Sequence, residues 1–125
     1  MTGQRILVVD DERNIRRSLE MILTGEDYEV ICVPSGQEAL TAIKEEKPHV
    51  VLLDIVLPGM NGVEVLRSVR DSHPDLAVIM ISGHGTVQDA VMATKLGAYD
   101  FLEKPLSREK VLLTVAHALE NVVLS

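Results

Sequence analysis

At 125 residues, with 46% hydrophobic and 25% charged positions, the chain has the size and balance of one globular domain that can fold without disulfides or a structural metal. A formal charge of −7 argues against non-specific nucleic-acid binding, which relies on Lys and Arg neutralising phosphates. No stretch approaches the ~20 apolar residues of a membrane span, and the apolar run Ile6 to Val9 is cut at once by Asp10, Asp11 and Glu12, so it does not read as a signal peptide. Aromatics are sparse (Tyr28, Tyr99 and Phe101), which leaves Val, Leu, Ile, Met and Ala to build the core. The single cysteine, Cys32, reads as a small apolar strand residue and fits a reducing cytoplasm.

Short β-branched runs alternate with longer amphipathic stretches five times. Residues 5–9 predict a strand, and Ile15, Leu19, Ile22 and Leu23 share one face of the helix after it. A second strand is predicted over 28–33. Ser35 and Gly36 then open a helix carrying Ala39, Leu40 and Ile43, which Lys47 and Pro48 stop because a residue before proline avoids helical geometry. Residues 50–53 form an apolar third strand without alternation, as expected of a strand covered on both faces. The loop Pro58 to Gly62 leads into a helix with Val63, Leu66 and Val69 in its stripe. The fourth strand spans 77–81, a helix over 86–96 is closed by Gly97, and the fifth strand spans 99–102. Ser107 is the expected N-cap of a last helix reaching about residue 123. Five such units imply an α/β fold with a parallel sheet, right-handed crossovers and helices on both faces.

In such sheets ligands collect at the carboxyl ends of the strands. Asp10 and Asp11 follow strand one, Asp54 strand three, Ser82 strand four and Lys104 strand five, so the topology brings them together. Clustered carboxylates repel unless a cation intervenes, and an oxygen-rich, incomplete ligand set suits Mg²⁺ beside a phosphate. A carboxylate can serve as a nucleophile that becomes an aspartyl-phosphate. Lys104 and the Ser82 hydroxyl supply a cation and a donor for phosphoryl oxygens, and Gly83 leaves room for the group to approach. Taken singly, each residue also has a plain reading, such as helix-start carboxylates, a loop acid or a solvated lysine. Four strands ending in suitable residue types favour the joint one.

The segments Ile6-Leu7-Val8-Val9-Asp10-Asp11-Glu12, Leu52 through Gly62, Ile81-Ser82-Gly83-His84-Gly85 and Asp100-Phe101-Leu102-Glu103-Lys104-Pro105 together resemble the receiver domain of bacterial two-component response regulators, from Ile6 to about Ala118. The resemblance implies a flavodoxin-like sheet of five strands in the order 2-1-3-4-5 with five helices. It implies Asp54 as the phosphoacceptor, and Asp10, Asp11, Asp54 and the backbone carbonyl of Val56 as Mg²⁺ ligands, some through water. Ser82 and Lys104 resemble the phosphoryl-contacting pair, and Phe101 the ring that turns inward on activation. Pro105, after a bond that is cis in the family, with Gly83 and Gly62, would be structural. Gly83 departs from the commoner alanine, which bears on phosphoryl lifetime. His84 is read as a solvated loop residue.

The stretch from Ser82 to Phe101 resembles the nitrogen-regulation (NtrC/NtrX) subfamily, whose members continue into an ATPase that works with the alternative sigma factor and then a helix-turn-helix. The chain has no Gly-x-x-x-x-Gly-Lys-Ser/Thr loop, so it is expected to be a single receiver domain over 1–125, an N-terminal module or truncated piece. Its own chemistry is expected to be self-phosphorylation and slow dephosphorylation, not substrate turnover. The expected partner is a sensor histidine kinase docking near the first helix and the Lys104 loop, with no membrane and no direct nucleic-acid contact. In the last helix, Val111, Val115, Ala118, Leu119 and Val122 can face the core, while Leu112, Leu113, Ala116, Val123 and Leu124 leave an apolar surface suited to a homodimer or a linker. The alternatives are a stand-alone receiver, a phosphorylation-independent binding module, and an aspartyl phosphatase, the last weakened because Val56 stands where a second acid is wanted.

Overall fold

The structure, a computed structural model, describes residues 3–83 and 87–124. His84, Gly85 and Thr86, and the side chains of Val87, Asn121, Val122, Val123 and Leu124, lie outside the described residues. In chain order the elements are β1 (Arg5–Val9), α1 (Arg13–Thr24), β2 (Glu29–Val33), α2 (Gly36–Glu46), β3 (Val50–Asp54), α3 (Gly62–Ser72), β4 (Ala77–Ser82), α4 (Val87–Lys95), β5 (Asp100–Glu103) and α5 (Arg108–Leu124). All strand pairs are parallel and the sheet runs β2-β1-β3-β4-β5, the flavodoxin-like order.

Alternation along the strands sorts the core into two layers. Ile6, Val8, Val50, Leu52, Ile79 and Ile81 face α1 and α5, where Leu19, Leu23, Val111, Val115, Ala118 and Leu119 are buried. Leu7, Val9, Val51, Leu53, Val78 and Met80 face α2, α3 and α4, meeting Ala39, Ile43, Val65, Leu66, Val69 and Ala93. This double cover explains the unalternating apolar runs of β3 and β4. Helix starts follow from local chemistry: the Ser35 hydroxyl accepts from Glu38 N–H at 3.2 Å, and the Asn61 side chain accepts from Glu64 N–H at 3.0 Å. Helix α2 stops at Lys47, which takes a left-handed φ of 48° before Pro48. Gly97, with φ of 97°, turns the chain from α4 toward β5.

Several boundaries differ from expectation by a residue. β3 and β4 extend to Asp54 and Ser82, so both residues end their strands instead of following them. β2 starts at Glu29 because Tyr28 N–H is spent on the Leu23 carbonyl at the end of α1. β5 begins at Asp100, although Tyr99 N–H already reaches the Val78 carbonyl at 2.7 Å. On α5, Leu113 is exposed while Leu112 packs partly against the core. Among the described residues no helix is long and apolar enough to cross a membrane.

Candidate functional site

Strand order reverses between β1 and β3, whose carboxyl ends carry Asp10 and Asp54 side by side. Both continue the alternation of the α1/α5 face, in step with Ile6 and Val8 and with Val50 and Leu52. Lys104, two past the buried Leu102, falls on the same side. Its ammonium lies 3.0 Å from Asp10 Oδ2, 3.2 Å from Glu12 Oε1 and 3.3 Å from Asp54 Oδ2. Backbone pairing holds the strands in place there: Lys104 N–H donates to the Ser82 carbonyl at 2.8 Å, and Ile55 N–H to the Ile81 carbonyl at 2.9 Å.

Asp10 is fully buried and Asp54 nearly so. Asp10 Oδ1 accepts from Glu12 N–H at 2.8 Å, whereas its buried Oδ2, though ion-paired with the ammonium, has no hydrogen-bond donor among the described residues. Asp54 Oδ1 accepts from Val56 N–H at 3.1 Å. Burial pushes the Asp54 carboxyl up to about 6, and the charge of Asp10 adds to this, against the lowering effects of the Val56 N–H and Lys104. For Lys104, burial works to lower the pKa, but Asp10, Asp54 and Glu12 outweigh it and hold the ammonium above its ordinary value. Among the described residues one cation therefore serves three carboxylates, and burial, with the charge of Asp10 behind it, leaves Asp54 the harder to ionise.

Oxygens of Asp10, Asp11 and Glu12 come within 4.8 Å of one another. With Asp54 beside Asp10, this hard-oxygen set fits a divalent cation such as Mg²⁺, and Asp10 Oδ2, buried and paired with the Lys104 ammonium, already stands where a positive charge is held. Glu12 is the participant that the sequence reading left as part of an acidic run. Its signal was present, since it directly follows two candidate ligands.

Ser82 is buried at the end of β4; unlike Asp54 it continues the alternation of Val78 and Met80, on the α2–α4 face. Phe101 is partly buried against that same layer, and the Lys104–Pro105 bond is cis. Gly62 N–H donates to the Ile55 carbonyl at 2.8 Å, and a side chain on Gly62 would collide with the Asp54 carbonyl and stand 2.7 Å from Ile55 Cα. Glycine is therefore obligatory where α3 begins. Gly83 is different: among the described residues an added Cβ would meet only Lys104 Cδ, at an ordinary 3.7 Å, so their packing does not require glycine there.

A parallel five-stranded sheet with an acid cluster and a lysine at its switch point defines the class, and the chain belongs to the response regulator receiver domain family, whose model matches residues 6–116. Its similarities fall with the NtrC/NtrX type. The nitrogen assimilation regulatory protein NtrX of Azorhizobium caulinodans is 40% identical over 119 residues, covering 94% of this chain and 26% of that protein. A crystal structure of NtrX from Brucella abortus superposes with a TM-score of 0.92 at 42% identity, over 98% of this chain and 29% of that one. A CheY-like receiver domain protein from Methanospirillum hungatei superposes with a TM-score of 0.91 at 31% identity, over 97% of each chain. The chain spans about a quarter of the length of the curated relatives it matches.

Proposed function

We propose that this receiver domain accepts a phosphoryl group on Asp54 and passes the change to the face formed by α4, β5 and α5. The observation that carries the reading is the buried Asp54 carboxylate, joined through one lysine to Asp10 and Glu12. Asp10, Asp11, Asp54 and the Val56 carbonyl would hold Mg²⁺, which when bound neutralises charge on the phosphoryl group and its oxygens. An Asp54 oxygen attacks phosphorus in line, the bond from phosphorus to the donor breaks, and an acyl phosphate forms. Lys104 leaves the carboxylate it neutralises and pairs with a phosphoryl oxygen, and the Ser82 hydroxyl donates to another. Movement of Ser82 frees space for Phe101 to turn further inward, which alters the exposed surface of Val91, Met92, Tyr99 and Leu113.

In this reading the donor is a sensor histidine kinase docking near α1 and the Lys104 loop. The output is a cytoplasmic sigma-54-type activator with an ATPase and a helix-turn-helix beyond a single receiver domain, and α5 contributes to a homodimer. The domain's own catalysis is limited to self-phosphorylation and slow loss of the phosphoryl group. The test is intact-protein mass after incubation with acetyl phosphate, with and without Mg²⁺, beside Asp54→Asn. One Mg²⁺-dependent, base-labile phosphate absent from Asp54→Asn is the expected result. No adduct, together with no binding of beryllium fluoride, would point instead to a phosphorylation-independent binding module.

A further inference from the structure

At the opposite end of the sheet from Asp54, the last turn of α2 and the loops that lead from α2 into β3 and from α3 into β4 line a cleft of about 470 Å³. Buried Ile43 and Pro48 and half-buried Leu76 give it an apolar lining, and exposed Lys44 and Lys47 stand at its edge with His49 and Asp75. A strand rises about 3.3 Å per residue, so the cleft beside Val50 lies more than about 10 Å from the acid cluster and is separate from it.

The charge of this cleft runs against the rest of the molecule. Two helix ends would ordinarily turn unpaired, partly negative carbonyls toward such a space. Here arginines take up carbonyls at the end of α2 and in the loop that follows α3. Arg5 donates from Nε to the Glu46 carbonyl at 2.8 Å and from Nη2 to the Lys47 carbonyl at 3.3 Å. Arg70 donates from Nη1 to the Pro74 carbonyl at 2.9 Å and from Nη2 to the Leu76 carbonyl. His49 Nδ1 accepts from the Arg5 backbone N–H at 2.9 Å, so the neutral ring keeps its proton on Nε2 as a donor. His73, also lining the cleft, pairs through Nδ1 with the Ser72 hydroxyl at 2.9 Å. The lining thus carries Lys44 and Lys47 against Asp75 as its one acidic residue, with Arg5 and Arg70 bonded to carbonyls beside it, on a chain whose formal charge is −7.

From this apolar lining and cationic edge we propose a second ligand site, for a small organic anion with an apolar body, such as an aromatic carboxylate or sulfonate. Its size and its mix of apolar wall with a few polar groups match small-molecule sites.

The test is amide NMR of the ¹⁵N-labelled domain titrated with naphthalene-2-sulfonate, with neutral 2-naphthalenemethanol in parallel. The expected result is a saturable set of shifts at Ile43, Lys47, His49 and Leu76 with a Kd of about 1 mM, the range of a fragment-sized ligand. Lys44→Gln combined with Lys47→Asn removes both charges, and asparagine accepts the left-handed backbone at 47. This variant should bind the sulfonate at least about fivefold more weakly and the neutral alcohol as before. The proposal is overturned if no shift saturates by about 10 mM, if the shifts map to Met92, Tyr99 and Leu113 or to the acid cluster, or if the variant binds the sulfonate like the parent.

Discussion

Replacing Asp54 with asparagine should make the metal-free domain more stable, although it removes the residue on which the proposed chemistry depends. The folded state raises the Asp54 carboxyl from 3.8 to about 6, chiefly by burial. A carboxyl that is harder to ionise when folded makes the native state bind more protons, so stability is highest below the unfolded value and falls as pH rises from about 4 through about 6. At pH 7.5 the penalty is fully present. Its ceiling is about 3 kcal/mol, and screening at the partly open rim around Lys104 reduces it to about 1–2 kcal/mol. Asparagine keeps an acceptor for the Val56 N–H, and Lys104 keeps Asp10 and Glu12. For a domain of this length that corresponds to a rise in Tm of roughly 4–8 °C. Circular-dichroism melts in EDTA at pH 7.5 and 4.5 measure it. The gain should be present at the higher pH and largely gone at the lower, where parent Asp54 is itself mostly protonated. Asp54→Asn melting at or below the parent at pH 7.5, or an equal gain at both pH values, would refute the electrostatic account.

Lys104→Met removes the cation shared by three carboxylates, so without metal the variant should lose about 2–3 kcal/mol. Adding Mg²⁺ should raise its Tm by more than it raises the parent's, and equal increments would show that Lys104 does not hold the place of a cation. Gly62→Ala forces a methyl against the Asp54 and Ile55 backbone and should cost about 2–3 kcal/mol in urea unfolding; an unchanged midpoint would mean that α3 shifts freely. Burial, reinforced by Glu20, pushes the Cys32 thiol up to about 11. Its reaction with a disulfide reagent at pH 8 should be about a hundredfold slower than that of a free thiol and should accelerate as pH rises toward 11.

The strands that matter most to the site were the most legible. β1, β3 and β4 are covered on both faces, so their apolar runs needed no alternation to be recognised, and the polar residue ending each run stood out. The edges were less clear, because β2 and β5 are half-exposed and their boundaries depend on single backbone bonds at Tyr28 and Tyr99. Glu12 was hidden for a different reason. As the residue before α1 it reads as a helix-start acid, yet its side chain makes no cap and goes instead to Lys104, 92 positions away. Nor does the sequence distinguish the two glycines of the site. Gly62 is pressed against the backbone beside Asp54, while a methyl on Gly83 would meet no closer described atom than Lys104 Cδ at 3.7 Å. The cationic cleft was not visible at all, since it exists only where two helix ends and two arginines meet.

The parity of the strands sets a limit on how this domain can vary. Asp54 pairs with Ile81 in register and shares its face with Leu52 and Val50. A residue inserted within β3 would turn the carboxylate through half a pleat, away from Lys104 and into the layer beneath α2 and α3. Lengthening the turns at the other end of the sheet would leave that carboxylate where it is. Tolerance to insertion should therefore be polarised along the strand axis, with deep mutational libraries losing the proposed phosphoacceptor function abruptly inside β3 and hardly at all in the loop before Val50.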